Sequence, residues 1–272
     1  MATGTAMTEM LSEPFMQRAL LAGLLVSGVA GYYGAFAVQR GLGFLGNGLA
    51  HAAFGGVALG LLLNLQPLAV AVPFTVAVAL LILWVQERAK LGGDTAIGIL
   101  FALSMALGVI FLSMRQTFSS DAMTYLFGSI IAVGWADVWM SAGALALALL
   151  LAPLWPRWAY ATFDRELATA DRQPVRSDDA LLYMALAVTI VTASKVVGLI
   201  LVAAFLVIPA ATARLLVRRF SSMTVVGVLL GAASVVAGLM ASWKFDLPPG
   251  ATIVVAQCLG FAAAMAGAKL RG

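Results

Sequence analysis

Nine apolar runs, each near the length that crosses a bilayer, constrain this chain more than any other feature. They cover about 15–38, 47–64, 67–85, 95–114, 135–155, 180–194, 196–213, 222–241 and 251–268. A helix takes about 20 apolar residues to span the hydrocarbon core. Only 10% of the 272 residues are charged and 62% are hydrophobic, whereas a soluble domain carries about 25% charge. A water-soluble globule of this size would expose apolar surface it has no polar residues to cover. That excludes a soluble enzyme, a nucleic-acid binder and a secreted disulfide scaffold. The expected fold is all-α: a polytopic transmembrane helical bundle of about 8–9 spans, one domain over residues 1–272. A shorter run at about 122–134 cannot cross alone and reads as a half-helix or re-entrant segment, which survives at membrane depth only when packed in protein or facing water. Lys195 interrupts the long stretch 180–213 and is expected to divide it into a pair of spans.

The basic residues fall between the runs, so a sequence pI near 9.5 reflects loop charge. With the loop after the first span in the cytoplasm, Arg40, Arg88, Lys90, Arg157, Arg165, Arg172, Arg176, Arg214, Arg218, Arg219, Lys269 and Arg271 lie inside. Arg18, Arg115, Lys195 and Lys244 lie outside. The positive-inside rule then predicts an outer N-terminus and a cytoplasmic C-terminus. The first 14 residues hold Glu9 and Glu13 and no basic residue, which does not fit a cleavable leader. Residues 64–67 (Asn-Leu-Gln-Pro) and 247–250 (Leu-Pro-Pro-Gly) are expected as outer turns, with Pro67 opening a helix. Asp94 is placed to N-cap the next run. Cys258, the single cysteine, is expected as a buried thiol.

Most signatures of chemistry are missing. There is no G-x-x-x-x-G-K-[ST], no H-E-x-x-H and no G-x-S-x-G. Residues 41–46 match G-x-G-x-x-G, but a span precedes them where a dinucleotide fold requires a strand. Close helix packing or a flexible entry to the next span explains these glycines better. His51 is the only histidine. It follows Asn47 by four residues, which puts both on one helix face, in a helix that also carries Gly48, Gly55, Gly56 and Gly60. Imidazole suits zinc and similar metals, and an ionisable group inside a span points to function. A structural hydrogen-bonding role is the alternative, since one His and one Asn cannot complete a four-ligand zinc site. Lys195 either snorkels to the outer interface or serves the pathway as a gating residue. The scattered methionines read as packing side chains. Residues 157–179 hold nine of the 28 charged residues, and Phe163 and Leu167 share a face of a short helix that Thr162 or Asp164 can cap. Such a helix needs a partner surface to be stable. It is either a docking element or a solvated loop.

Several blocks together resemble the permease subunits of bacterial zinc and manganese ABC transporters. They are Asn47-Gly48-Leu49-Ala50-His51-Ala52 with Gly56-Val57-Ala58; Asp94-Thr95-Ala96-Ile97-Gly98-Ile99-Leu100-Phe101 with Ala106-Leu107-Gly108-Val109; and Tyr125-Leu126-Phe127-Gly128-Ser129. Phe163-Asp164-Arg165-Glu166-Leu167-Ala168 follows. Then come Lys195-Val196-Val197-Gly198 with Leu206-Val207-Ile208-Pro209-Ala210-Ala211-Thr212-Ala213, and Leu247-Pro248-Pro249-Gly250-Ala251-Thr252-Ile253. They run from about 40 to 255 in family order.

The resemblance implies a transport subunit, not an enzyme, in the bacterial inner membrane. Two permease chains pair, as a homodimer in the simplest case. Two cytoplasmic ABC ATPase subunits hydrolyse ATP and dock on Phe163, Asp164, Arg165, Glu166, Leu167 and Ala168. A periplasmic or lipid-anchored binding protein delivers the metal, and no nucleic acid is involved. Zinc is the first expectation for the substrate and manganese the second, with no tightly bound cofactor. His51 becomes a pathway ligand and Asn47 a second. The family usually has an aspartate where this chain has Asn47, and a proline where it has Gly55. Asp137 and Asp246, near the outer half of the expected topology, are candidates to supply the missing charge. A chelated metal is an alternative cargo, and an ion-coupled secondary carrier is the alternative class.

Overall fold

The structure is a computed structural model that describes residues 10–89, 92–115, 133–199 and 201–269. The described residues form helices and turns without a strand. In chain order the helices are α1 (Pro14–Gln39), α2 (Leu45–Leu62), α3 (Pro67–Ala89), α4 (Gly93–Ser113) and α5 (Trp135–Leu151). A 3-10 turn (Ala152–Leu154) leads to α6 (Trp155–Phe163), followed by α7 (Arg165–Ala170), α8 (Val175–Val197), α9 (Val202–Leu216), α10 (Phe220–Phe245) and α11 (Pro249–Lys269). Eight helical stretches are long and apolar enough to cross a membrane, α5 and α6 counting as one. The protein is a polytopic membrane helical bundle.

The turns follow local chemistry. α1 begins on Pro14 and stops where Gly41 takes φ +70°. There the Leu42 N–H reaches the Ala37 carbonyl at 2.8 Å and the Gly41 N–H the Val38 carbonyl at 3.2 Å, the paired bonds of a Schellman ending. The G-x-G-x-x-G match is thus a helix stop and a packing site. Asn64 adopts φ 54° in the turn before Pro67 opens α3. α4 begins at Gly93 with Gly92 at its N-cap, so Asp94 is not the cap; it sits exposed in the first turn, favourably placed against the positive helix end.

α1 is the hub, packed against α5, α8, α9 and α10, while α2 packs chiefly against α3, α4, α8 and α9. Glycines let α2 come this close: a Cβ on Gly56 would stand 2.6 Å from the Ala71 Cα of α3. α11 is peripheral. Cys258 therefore lies exposed on its outer face, not buried as expected, because an apolar sequence does not distinguish a core position from one facing lipid.

The stretch 180–213 does hold two helices, but Lys195 does not separate them. α8 continues through Lys195 to Val197 and breaks at Gly198, whose φ of 90° and ψ of 147° fall where only glycine rests without strain. The break is enclosed, with Gly198 and Leu199 buried. α9 has 15 residues and rises about 22 Å, short of a core about 30 Å thick. The nine expected spans are thus eight long helices and one short inner helix. The half-helix expected at 122–134 and the Tyr125–Ser129 block lie outside the described residues, apart from 133 and 134.

The two ends of the bundle differ. Phe15 meets Trp243 at one end (6.5 Å between ring centroids), near Asp246. Arg40, Glu87, Arg157, Arg165, Arg176, Asp178 and Asp179 gather at the other. α1 starts at the first end and α11 runs from it to the second.

Candidate functional site: an open face on α2 and a docking corner

All of α2 is buried except Asn47, His51, Leu59 and Leu62, which are half-buried. They fall on one face, as i, i+4, i+12 and i+15 must on a helix. The other face is filled: the Gly48 position is closed by Ile97, and Gly55 by the Ser104 carbonyl of α4 and the Phe74 ring of α3. The glycines thus serve helix packing, and the polar pair lies on the one half-buried face of the helix. The His51 ring meets Phe101 of α4 edge-on, with centroids 4.5 Å apart and planes at 84°. Phe44, one turn before Asn47, also contacts Phe101, at 6.4 Å. Among the described residues neither Asn47 nor His51 makes a side-chain hydrogen bond. Among them there is also no cluster of three His, Cys, Asp or Glu side chains that could hold a metal ion. One imidazole and one amide oxygen can meet a passing cation; they cannot trap it.

The two acids expected to compensate for Asn47 stand elsewhere. Asp137 is buried in the first turn of α5, where its Oδ2 accepts the Gly134 N–H at 2.9 Å. Asp246 is exposed in the turn after α10, in a left-handed conformation. Neither helix is a principal neighbour of α2. Lys195 lies in the last turn of α8, three residues before Gly198, and its side chain is outside the described residues.

The segment 157–179 is not a loop. α6 and α7 form a helical corner, and residues 175–179 already belong to α8. Asp164 makes the corner: its Oδ1 accepts the Leu167 N–H at 2.8 Å and caps α7. Thr162 instead donates to the Trp158 carbonyl at 2.6 Å. The corner is anchored by Trp158, fully buried and edge-on to Phe36 at 5.8 Å. The six expected docking residues divide by direction. Phe163 and Leu167 are 61% and 50% exposed, and Glu166 is also exposed. Ala168 is buried beside Ala161 and Val175, and Arg165 turns back to pair with Asp179 and Glu87. Phe163 also walls a cleft with Arg214, Arg218, Arg219 and Phe220.

Sequence reasoning missed the residues that hold this corner. Arg40, at the end of α1, donates from Nη1 to Asp179 Oδ1 at 2.5 Å, from Nε to Thr162 Oγ1 at 2.8 Å and from Nη2 to the Trp158 carbonyl at 3.3 Å. Arg157 forms a two-pronged pair with Asp178 at 2.8 and 3.1 Å. The signal was present: Asp178 and Asp179 directly abut an apolar run, and both are buried in the first turns of α8.

Residues 12–268 match the ABC 3 transport family. The chain is 34% identical over 253 residues to the manganese transport system membrane protein MntC of Listeria monocytogenes, covering 93% of this chain and 90% of that one. It is 30% identical over 244 residues to the high-affinity zinc uptake system membrane protein ZnuB of Haemophilus influenzae (89% and 94%). It superposes on a chain of PsaBC from Streptococcus pneumoniae, solved in complex with Fab, with a TM-score of 0.85 at 32% identity, covering 96% and 94%. A multi-pass helical bundle, matched over nearly its whole length, belongs to the ABC 3 transport family as one of its metal-transporter permeases.

Proposed function

We propose that this chain forms the membrane path of an ATP-driven importer for a divalent first-row metal ion, zinc or manganese. The observation that carries the proposal is the open face of α2, where an otherwise enclosed helix presents Asn47 and His51. Imidazole supports zinc, while relatives named for manganese support manganese as the second reading. A second copy of the chain or water completes the ligand shell, and incomplete coordination suits an ion that must leave. Two ATPase subunits bind at Phe163, Glu166 and Leu167, and a binding protein delivers the ion at the opposite end. The arginine-rich end then faces the cytoplasm of the inner membrane, as the charge rule requires, with the N-terminus outside.

The test is metal accumulation, read by mass spectrometry, in cells co-expressing the chain with its ATPase and binding protein and offered zinc and manganese together. His51→Ala should lower accumulation of the transported ion by at least about tenfold, the scale of loss when a metal's ligand environment is disturbed. Undiminished accumulation in a normally expressed variant would remove His51 from the path. The ion taken up by the wild type decides between the metals.

A further inference from the structure

We propose that Asp179 is the joint through which movement of the docking corner reaches α2. This rests on the ATPase-docking reading above and names the residue that passes the movement on. The side chain of Asp179 is 1% exposed, and its two oxygens face different regions of the protein. Oδ1 accepts from Arg40, which caps the end of α1 with four residues between it and α2. Oδ2 accepts from Arg165, the first residue of α7 in the docking corner. Arg165 and Arg176 both pair with Glu87 at the end of α3, at 3.7 and 3.0 Å. One buried carboxylate thus ties the docking corner to the turn that carries α2, with α3 held alongside.

Arg40 gathers the polar contacts around this tie, since it also holds the Thr162 hydroxyl and the Trp158 carbonyl of α6. Arg157 pairs with Asp178, and the rest of the corner rests on aromatic rings: Trp158 on Phe36, Phe163 on Phe220 and Trp155 on Phe220. Ring contacts tolerate sliding, whereas a buried carboxylate stripped of a partner is left as an uncompensated charge. Its two arginines must therefore travel with it. They are unequal. Arg40 is 11% exposed and fixed on three sides, while Arg165 is 53% exposed. Arg165 is the arm a partner can push or draw away, and Arg40 is the arm that moves α2. Asp179 is a positioning residue and touches no cargo.

The test reads α2 directly. In the complete transporter, Leu59→Cys is placed on the open face of α2, with Cys258→Ser to remove the native thiol. Its labelling rate by a thiol reagent is measured with and without ATP. In the otherwise unaltered protein ATP should change the rate severalfold. Asp179→Asn should abolish that change while the ATPase still co-purifies. Arg40→Lys keeps the charge but loses the fork that holds Thr162, Trp158 and Asp179 together, and should blunt the change; it also carries the test if the Asp179→Asn chain itself does not fold into the membrane. ATP-dependent labelling that persists in the variants overturns the joint. Loss of the ATPase from Asp179→Asn also overturns it, because Asp179 would then only build the docking surface. A wild-type complex that responds to ATP but accumulates neither metal overturns the cargo and leaves the joint standing. A wild-type chain that binds no ATPase overturns the docking reading and the joint with it.

Discussion

Replacing Gly56 with alanine adds one methyl group where α2 meets α3. The new Cβ would stand 2.6 Å from the Ala71 Cα and 3.0 Å from the Phe74 Cβ. The nearer atom is backbone, so no rotamer change relieves the overlap, and α3 must retreat by about 0.8 Å to reach the 3.4 Å of ordinary contact. A gap of about 0.5–1 Å forfeits a quarter to a half of the dispersion attraction of the atoms it separates. Close approach of small residues is what holds membrane helices together. Overpacking costs about 1–3 kcal/mol; a backbone clash belongs at the upper end, and alanine returns about 1 kcal/mol of helix propensity. The net loss is about 2 kcal/mol, roughly thirtyfold in the folding equilibrium. At about 2–4 °C per kcal/mol, the unfolding midpoint should fall by about 4–8 °C in detergent. Gly98→Ala is the control: it lies on α4 with nothing within 4 Å of the added Cβ, so the same chemistry should leave the midpoint unchanged or raise it. Equal midpoints for the two variants would refute the close α2–α3 contact.

Two further outcomes follow from the geometry. Phe163→Ala with Leu167→Ala should strip the ATPase from the purified complex while costing less than about 1 kcal/mol of stability per site, as exposed positions do; co-purification at wild-type yield would displace docking from the corner. Gly198→Ala should cost about 1–3 kcal/mol from backbone strain, read as a lower unfolding midpoint than Gly43→Ala, which meets nothing within 4 Å; matching midpoints would mean the break does not need glycine.

Much of the bundle was legible because bilayer thickness sets a length that the apolar runs obey. Pro67 opened α3, and Asp164 capped α7. The misplacements share a cause. Lys195 looked like a boundary because charge marks boundaries on average, but the break is set by a backbone conformation that only Gly198 adopts. Asp178 and Asp179 looked like a stretch of solvated tail because their partners, Arg157 and Arg40, lie 21 and 139 residues away. Cys258 looked buried because hydropathy rewards lipid and core alike. Of the site, His51 and Asn47 could be placed on one helix face from spacing alone. That this face is the open one depends on glycine packing by three neighbouring helices, which no local window records. Asp137 and Asp246 were assigned by elimination, and elimination carries no information about helix adjacency.

The shortness of α9 bears on how the chain is made. A 15-residue helix gains too little from lipid to enter the bilayer unaided, and its N-terminal end abuts an enclosed break. Its place is secured chiefly by α1, α10 and α11, with lesser contacts to α2 and α8, and two of its three main neighbours are synthesised after it. During biogenesis, then, α9 settles only once its later neighbours have arrived. Truncation within α10 or α11 should leave the final topology of everything after Gly198 undecided, even though each residue of α9 has by then left the ribosome.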